Sequence, residues 1–405
     1  MEMFSTMETI VNCLLMMIAA LLATSVGVFS LEVVAAIALP QRPCTRLPNR
    51  GPRPRLAALV PAHNESTGVL PTLADIQSQL LSGDRLLVVA DNCTDDTAAV
   101  AAARGVEVIE RHDATRIGKG YALEWGVRHL SLDAPEIVVV IDSDCRLADG
   151  AMERLAFSCK STGRPTQALY LMTAPKSKIN YQVAEFAWRV KNWIRPLGLK
   201  AVGLPCQLMG TGMAFPWSVI RSTNLGNGRI VEDLILGLDL TLAGHPPLFC
   251  PSARVMSEFP TSVQGAKTQR QRWEHGHIDT IRRTAPRLLI DALTRRNWDL
   301  LALALDLSVP PLSLLGILIL GMIGVSGLVA SLGFSSVALV VSIASLFAFA
   351  IATFLAWFKC GRDVLPVGAI LWTIPYIIGK LTIYSQLVLG KISSEWIRTD
   401  RSKSE

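Results

Sequence analysis

From Ile10 to Leu39 the sequence carries a single charged side chain, Glu32. A helix needs roughly 20 consecutive apolar residues to cross the hydrocarbon core of a bilayer, so this run predicts one membrane-spanning helix. A cleaved leader is the competing reading. The run is too long for one, and no small-residue cleavage pattern ends it. The other end of the chain repeats the theme: Leu300 to Phe358 contains one charge, Asp306, and Leu365 to Leu389 only Lys380. Three further membrane segments are predicted, at Leu307–Ala330, Val337–Phe358 and Leu365–Leu389.

Between these ends the charge pattern sets an orientation. The stretch QRPCTRLPNRGPRPR holds Arg42, Arg46, Arg50, Arg53 and Arg55 and no acid, while Glu2 and Glu8 precede the first apolar run. Basic residues gather on the cytoplasmic side of bilayers, so the middle of the chain is expected in the cytoplasm of a bacterial-type inner membrane. The net charge of +6 is modest. It suits anionic lipid headgroups more than nucleic acid, and no nucleic-acid partner is expected. With the first helix entering and all three later segments spanning, the basic tail KISSEWIRTDRSK would fall outside. The last segment, which holds Lys380, Pro366 and Pro375, is therefore expected to be re-entrant or interfacial. The eight cysteines are scattered without a CxxC pair and read as reduced thiols.

From Leu56 to Ile141, runs rich in Val and Ile (LAALV, RLLVVA, VEVIE, EIVVVI) alternate with helical patterns, among them Lys119–Leu130. That alternation predicts a doubly wound α/β domain with mostly parallel strands. Further strands are expected at ALYLMT and GMAF, and a helix at Val183–Ile194. Ligands of such sheets bind beyond the carboxyl ends of the strands. The polar residues just after each run are thus the candidates.

The first run ends in VPAHNE, where Pro61 fixes the exit and His63, Asn64 and Glu65 enter the crevice. The second ends in ADNCTDDT, with Asp91 placed for a nucleobase or ribose and Asp95 and Asp96 mostly capping the next helix. The fourth ends in IDSDC, where Asp142 and Asp144, two apart, can aim both carboxylates at one hard cation, Mg²⁺ or Mn²⁺, bridging a diphosphate. Gly118-Lys119-Gly120 opens a helix whose free amides and ammonium favour phosphate; the spacing is not that of a Walker loop. IVEDLILGLDL sets Glu232 and Asp233 at a helix start, either as capping acids or with Asp233 as general base. Upstream, Gly210, Thr211 and Gly212 let an acceptor approach the backbone. In QRQRW, Gln269, Arg272 and Trp273 offer a guanidinium for a diphosphate and an indole for a sugar ring. His275 and His277 have no third ligand in view and are not expected to bind metal.

In their order, Asp91, Asp142-Ser143-Asp144, Glu232-Asp233 and Gln269 to Trp273 resemble the family 2 glycosyltransferases, the group of the cellulose, hyaluronan and poly-N-acetylglucosamine synthases and of exopolysaccharide glycosyltransferases. PAHNE and GKGYAL look like family segments too, and Val231 stands where many members have Thr. The resemblance implies a GT-A fold, a UDP-sugar donor, a divalent cation and inverting single displacement. By it, Asp91 binds the uridine end, Asp142 and Asp144 the diphosphate and metal, and Gln269, Arg272 and Trp273 the diphosphate and the acceptor end, with Asp233 as base. The expected layout is a membrane helix in 1–40, a basic linker in 41–55, a catalytic domain in 56–260, the QxxRW segment with interfacial helices in 261–299, membrane segments in 300–390 and a basic tail in 391–405. Two activities fit. One is a single addition to a lipid-linked precursor of an exopolysaccharide or other surface glycan. The other is a processive β-polysaccharide synthase that exports its product, as an oligomer or with partner subunits. An inactive membrane scaffold is the remaining reading.

Overall fold

The computed structural model describes residues 2–41, 51–175, 178–226, 231–372 and Lys380. Among these residues eight strands form one mixed sheet: β1 (Leu56–Ala62), β2 (Arg85–Asp91), β3 (Glu107–Arg111), β4 (Ile137–Val140), β5 (Arg146–Leu147), β6 (Thr166–Thr173), β7 (Met213–Pro216) and β8 (Leu248–Glu258). Their order is β3-β2-β1-β4-β7-β6-β8-β5. The first four are parallel, as their apolar runs predict. All four residues of β4 are buried, the pattern of a strand covered on both faces. Along β1 successive side chains part company: Ala58 and Val60 join one core, Ala57 and Leu59 the other. The helix Lys119–Leu130 closes the second face. It seats so near β1 that a Cβ at Gly126 would collide with Leu59.

Beyond β4 the sheet turns mixed, with β7 antiparallel to both β4 and β6. The predicted strands at ALYLMT and GMAF are β6 and β7. The 11-residue β8 and the short β5 were not expected. The predicted helix Val183–Ile194 belongs to a longer run, Ile179–Arg189 continuing through a π-turn at Val190–Ile194 into Arg195–Ala201. After β8 the QRQRW segment lies on a 32-residue helix, Val263–Thr294.

Among the described residues, three helices are long and apolar enough to cross a membrane: Thr6–Ala38, Leu312–Ser331 and Val337–Cys360. The second begins later than the predicted Leu307. Pro310 and Pro311 separate it from Trp298–Leu307, because proline cannot continue a helix. That shorter helix packs through Leu300, Leu303 and Leu307 against Leu234, Leu238, Leu288 and Ala292. Of the predicted segment Leu365–Leu389, a turn of 3₁₀ helix at Val367–Trp372 is described. Its remainder apart from Lys380, the basic tail and residues 42–50 of the linker lie outside the described residues.

The N-terminal helix is packed onto the rest of the fold, reaching the strand residues Leu169 and Phe249 through one buried cluster. Phe29 and Val33 share a buried cluster with Phe186, Val190, Leu315 and Trp357. At Gly198 a Cβ would fall inside the backbone of Glu32, so the two helices meet backbone to backbone there.

Candidate active site

The sheet's geometry brings the polar strand ends into one crevice of about 380 Å³ at the carboxyl ends of β1, β2 and β4. Pro61, His63, Glu65 and Asp91 line one side. Lys119, Asp142, Asp144 and Gly210 form the floor, and Glu232, Asp233, Gln269, Arg272 and Trp273 close the other side. Residues from Pro61 to Trp273 therefore share one space.

Local backbone choices aim these groups. Asn64 and Asn92, just past β1 and β2, hold positive φ of 53° and 51°, a conformation that asparagine tolerates better than most residues. Asn64 Oδ1 accepts from Thr94 N at 2.7 Å, and Asn92 Oδ1 from Asp113 N at 2.8 Å, tying the loops together. The helix after β2 is held by Asp95, whose Oδ1 accepts from Thr97 N at 3.0 Å. Asp96, at the cap position, makes no side-chain cap bond. His63 is turned by a 2.7 Å hydrogen bond between Nδ1 and Asp91 O.

Asp91, expected to meet a nucleobase or ribose, lines the crevice and is held from within the fold. It is buried, and Arg111 Nη1 donates to its Oδ1 at 2.5 Å. Arg111, the last residue of β3, escaped the sequence reading because nothing in VEVIER marks it apart from a surface arginine. Its second amino group donates to Arg116 O at 2.7 Å, and its guanidinium lies 5.5 Å from the Tyr121 ring.

At the centre, the Lys119 ammonium pairs with Asp142 and donates to Gly210 O at 2.7 Å. Gly210 has φ +91°, and a Cβ there would lie 3.4 Å from Asp233 Oδ2 and 3.8 Å from Lys119 Nζ. This glycine thus lets the Asp233 carboxylate and the lysine converge.

 Desolvation in the cleft raises both neighbouring acids, Glu232 to about 7, aided by the charge of Asp233, and Asp233 above the usual carboxylate range although Lys119 and Lys191 oppose the rise. Lys119 is raised as well. Burial alone would lower it, yet the Asp142 and Glu232 carboxylates carry it up to about 12.

The oxygens of Asp142 and Asp144 and the Cys145 sulfur lie within 4.8 Å of one another, the one such group of metal-capable side chains among the described residues. Two carboxylates suit a hard cation. Cys145 does not add to them, because its thiol is buried in the core, is pushed upward by that burial, and donates to Asp144 Oδ1 at 3.6 Å.

The acceptor expectation narrows. Gly210 opens on the crevice, but Thr211 and Gly212 do not. Thr211 is fully buried and its hydroxyl accepts from Asp142 N at 3.0 Å, setting the strand end. A Cβ at Gly212 would press on Ala168 and Val255 at 2.8 and 2.9 Å, so that glycine serves the packing of the sheet. On the far wall Gln269 is buried, and the Trp273 ring lies 4.9 Å from that of Trp188. His277 is held neutral by burial, with its pKa down at about 3, and its Nε2 makes a 3.2 Å hydrogen bond to Leu307 O. The crevice also gathers Tyr170, Trp188, Lys191, Asn192 and Arg195. The sequence offers no local signal for the last three, since Lys191 and Asn192 lie on the π-turn Val190–Ile194 and Arg195 directly follows it.

Comparison with known proteins bears on this arrangement. Glucosyl-3-phosphoglycerate synthase of Mycobacterium tuberculosis is 38% identical over 96 residues, 22% of this chain and 28% of that protein's length. An uncharacterized glycosyltransferase of the same organism is 38% identical over 100 residues, 25% of this chain and 41% of its own length. The chain thus spans under half the length of either curated relative. Among solved structures, the mannosyltransferase PcManGT from Pyrobaculum calidifontis, in complex with GDP-Man and Mn²⁺, superposes with a TM-score of 0.55 at 17% identity, covering 93% of this chain and 100% of its own. The shared fold is of the GT-A type, and apolar helices precede and follow the sheet in this chain. The family model described as glycosyltransferase like family 2 matches residues 52–276, more than half of the chain and the whole span from β1 to the QRQRW helix, and the chain belongs to that family.

Proposed function

We propose that the protein moves a sugar from a UDP-sugar donor, with inversion, to a lipid-linked glycan acceptor in the building of an exopolysaccharide or another cell-surface glycan. The observation that carries this reading is the meeting of Asp142, Lys119, Gly210 and Asp233 in one crevice. A diphosphate and an acceptor hydroxyl need such neighbours at once.

In this reading Asp142 and Asp144 would hold a divalent cation, Mg²⁺ or Mn²⁺, which supplies charge neutralisation for the donor diphosphate. Lys119 and Arg272 add positive charge to the same end. Arg272 lines the crevice, and desolvation lowers its pKa without discharging it. Asp233 takes the proton of the acceptor hydroxyl as its oxygen bonds to the anomeric carbon, while the bond from that carbon to the departing diphosphate breaks. Glu232 shapes the charge around that base. The Trp273 and Trp188 rings offer flat faces for the acceptor sugar. The arginine-rich linker supports a cytoplasmic catalytic domain on a bacterial inner membrane.

The test uses the purified full-length protein in lipid nanodiscs. UDP-sugars, with GDP-mannose as a comparison, are supplied together with a polyprenyl diphosphate-sugar, and product mass is read by mass spectrometry. One added sugar from a UDP donor is expected. A long polymer would replace this reading with a processive synthase, and nucleotide binding without turnover would replace it with a scaffold.

A further inference from the structure

Beside the crevice lies a second cavity of about 560 Å³, set between the helix Ile179–Arg189, the long helix Val263–Thr294 and the near halves of Leu312–Ser331 and Val337–Cys360. Its wall is mostly hydrocarbon and aromatic, as at Phe186, Ile317, Phe349 and Phe354. Both cavities are lined by Trp188, Lys191, Arg195, Gln269, Trp273 and His277. They are two compartments of one space that meet at a throat.

Among the described residues, the throat carries one cation without an ion pair. Arg195 is bound to Glu32 and Asp306, His277 is neutral, and Lys119 deeper in the crevice is bound to Asp142. Lys191 makes no ion pair within 4.0 Å among the described residues, and its Nζ lies 5.4 Å from the centre of the Trp188 ring. It keeps accessible surface. The π-turn Val190–Ile194 places it there; such turns inside helices are often found at functional sites.

Resting on the transferase reading, we infer that the second cavity receives the hydrocarbon tail of the acceptor and that Lys191 holds the phosphate joining tail to head. The acceptor is then a lipid phosphate or diphosphate, entering from the membrane side. A glycan chain does not suit the apolar compartment, because sugar hydroxyls there would lose their partners at a cost of roughly 1–3 kcal/mol each. A hydrocarbon chain does suit it. The anion belongs at the throat, since the compartment beyond holds the Glu274 carboxylate, already joined to Lys380 at 2.5 Å, and the crevice beyond Lys191 holds Asp142, Asp144, Glu232 and Asp233. From that point the head group reaches toward Asp233.

The experiment compares farnesyl phosphate and farnesol, each bearing a diazirine on the tail, with the full chain in nanodiscs. Photo-adducts mapped by mass spectrometry are expected on Ile317 and Phe349. Farnesyl phosphate should bind about tenfold more tightly than farnesol, the scale of one charge-assisted hydrogen bond. Lys191→Met should abolish that preference and Lys191→Arg restore it, while Ala350→Trp, at the cavity wall, should weaken both probes. UDP affinity is measured on each preparation and should be unchanged in Ala350→Trp. Adducts scattered over outward residues such as Leu328 and Phe347, or an undiminished phosphate preference in Lys191→Met, would overturn the lipid site. Loss of UDP binding by the wild type would instead sink the transferase reading, whatever the probes do.

Discussion

Glu32, the lone charge of the N-terminal membrane helix, accepts a 2.6 Å hydrogen bond from Arg195 Nε. The same guanidinium donates from Nη2 to Asp306 at 2.5 Å, so the two isolated acids that stand out in the apolar ends of the sequence are joined by one arginine. Removing one member of a buried ion pair leaves an uncompensated charge at a cost of about 3–5 kcal/mol, whereas replacing the whole group by apolar side chains is often neutral. Arg195→Met should therefore lower the unfolding temperature in detergent, read by tryptophan fluorescence. The triple variant Glu32→Leu, Arg195→Met, Asp306→Leu should recover most of the loss. Wild-type melting of Arg195→Met would show that the junction contributes nothing.

Asp233 is the base in the proposed transfer, and a carboxylate accepts a proton only when ionised. Its pKa is raised by burial, so the acidic limb of the kcat/KM profile should lie above the ordinary carboxylate range, with activity lost as pH falls through it. Lys119 lowers that pKa, and Lys119→Met should accordingly move the limb to higher pH while reducing the plateau. Asp233→Asn should cost about 10²–10⁴-fold in kcat. Unchanged transfer by Asp233→Asn would assign the base elsewhere.

Asp142 and Asp144 face one another without help from the protonated Cys145. EDTA should remove activity, with Mn²⁺ or Mg²⁺ restoring it. By calorimetry, Asp144→Asn should weaken Mn²⁺-dependent UDP binding by at least about tenfold, near the value of one charge-assisted contact. Cys145→Ala should leave it unchanged. Full activity in EDTA would remove the cation from the reaction.

Much of this architecture is legible in the sequence, for identifiable reasons. β1, β2 and β4 show because each is buried along nearly its whole length and so reads as an apolar run, whereas β3, at the sheet edge, is mostly half-buried and shows only through the short pair Val108-Ile109. Lys119–Leu130 shows because its glycine-rich start and apolar periodicity agree. The ordered acids place themselves at strand ends once the strands are known. What escapes is tertiary. β8 mixes buried and exposed positions irregularly across a bulge at Ala168/Leu169 of its partner strand, the π-turn at Lys191 has no composition of its own, and Arg111 becomes a site residue only because β3 pairs with β2 in the register that sets Asp91 beside it. Thr211 misled for the same reason: its hydroxyl serves the backbone of Asp142, a partner 69 positions away.

Arg111 and Asp91 offer the sharpest separation of scaffold from chemistry. Their 2.5 Å ion pair is buried on both sides, so Asp91 satisfies a structural charge whether or not it also meets a nucleoside. Arg111→Met should destabilise the fold by about 3–5 kcal/mol, because Asp91 is then buried alone. In the double variant Arg111→Met, Asp91→Leu the isolated charge is gone, and stability should largely return. UDP affinity distinguishes the roles. If Asp91 contacts the nucleoside, the stable double variant still binds UDP about tenfold or more weakly, the loss of a charge-assisted hydrogen bond. Wild-type affinity in that variant would make the Asp91 carboxylate a strut for Arg111 and shift uridine recognition to His63 and Glu65, which line the same end of the crevice.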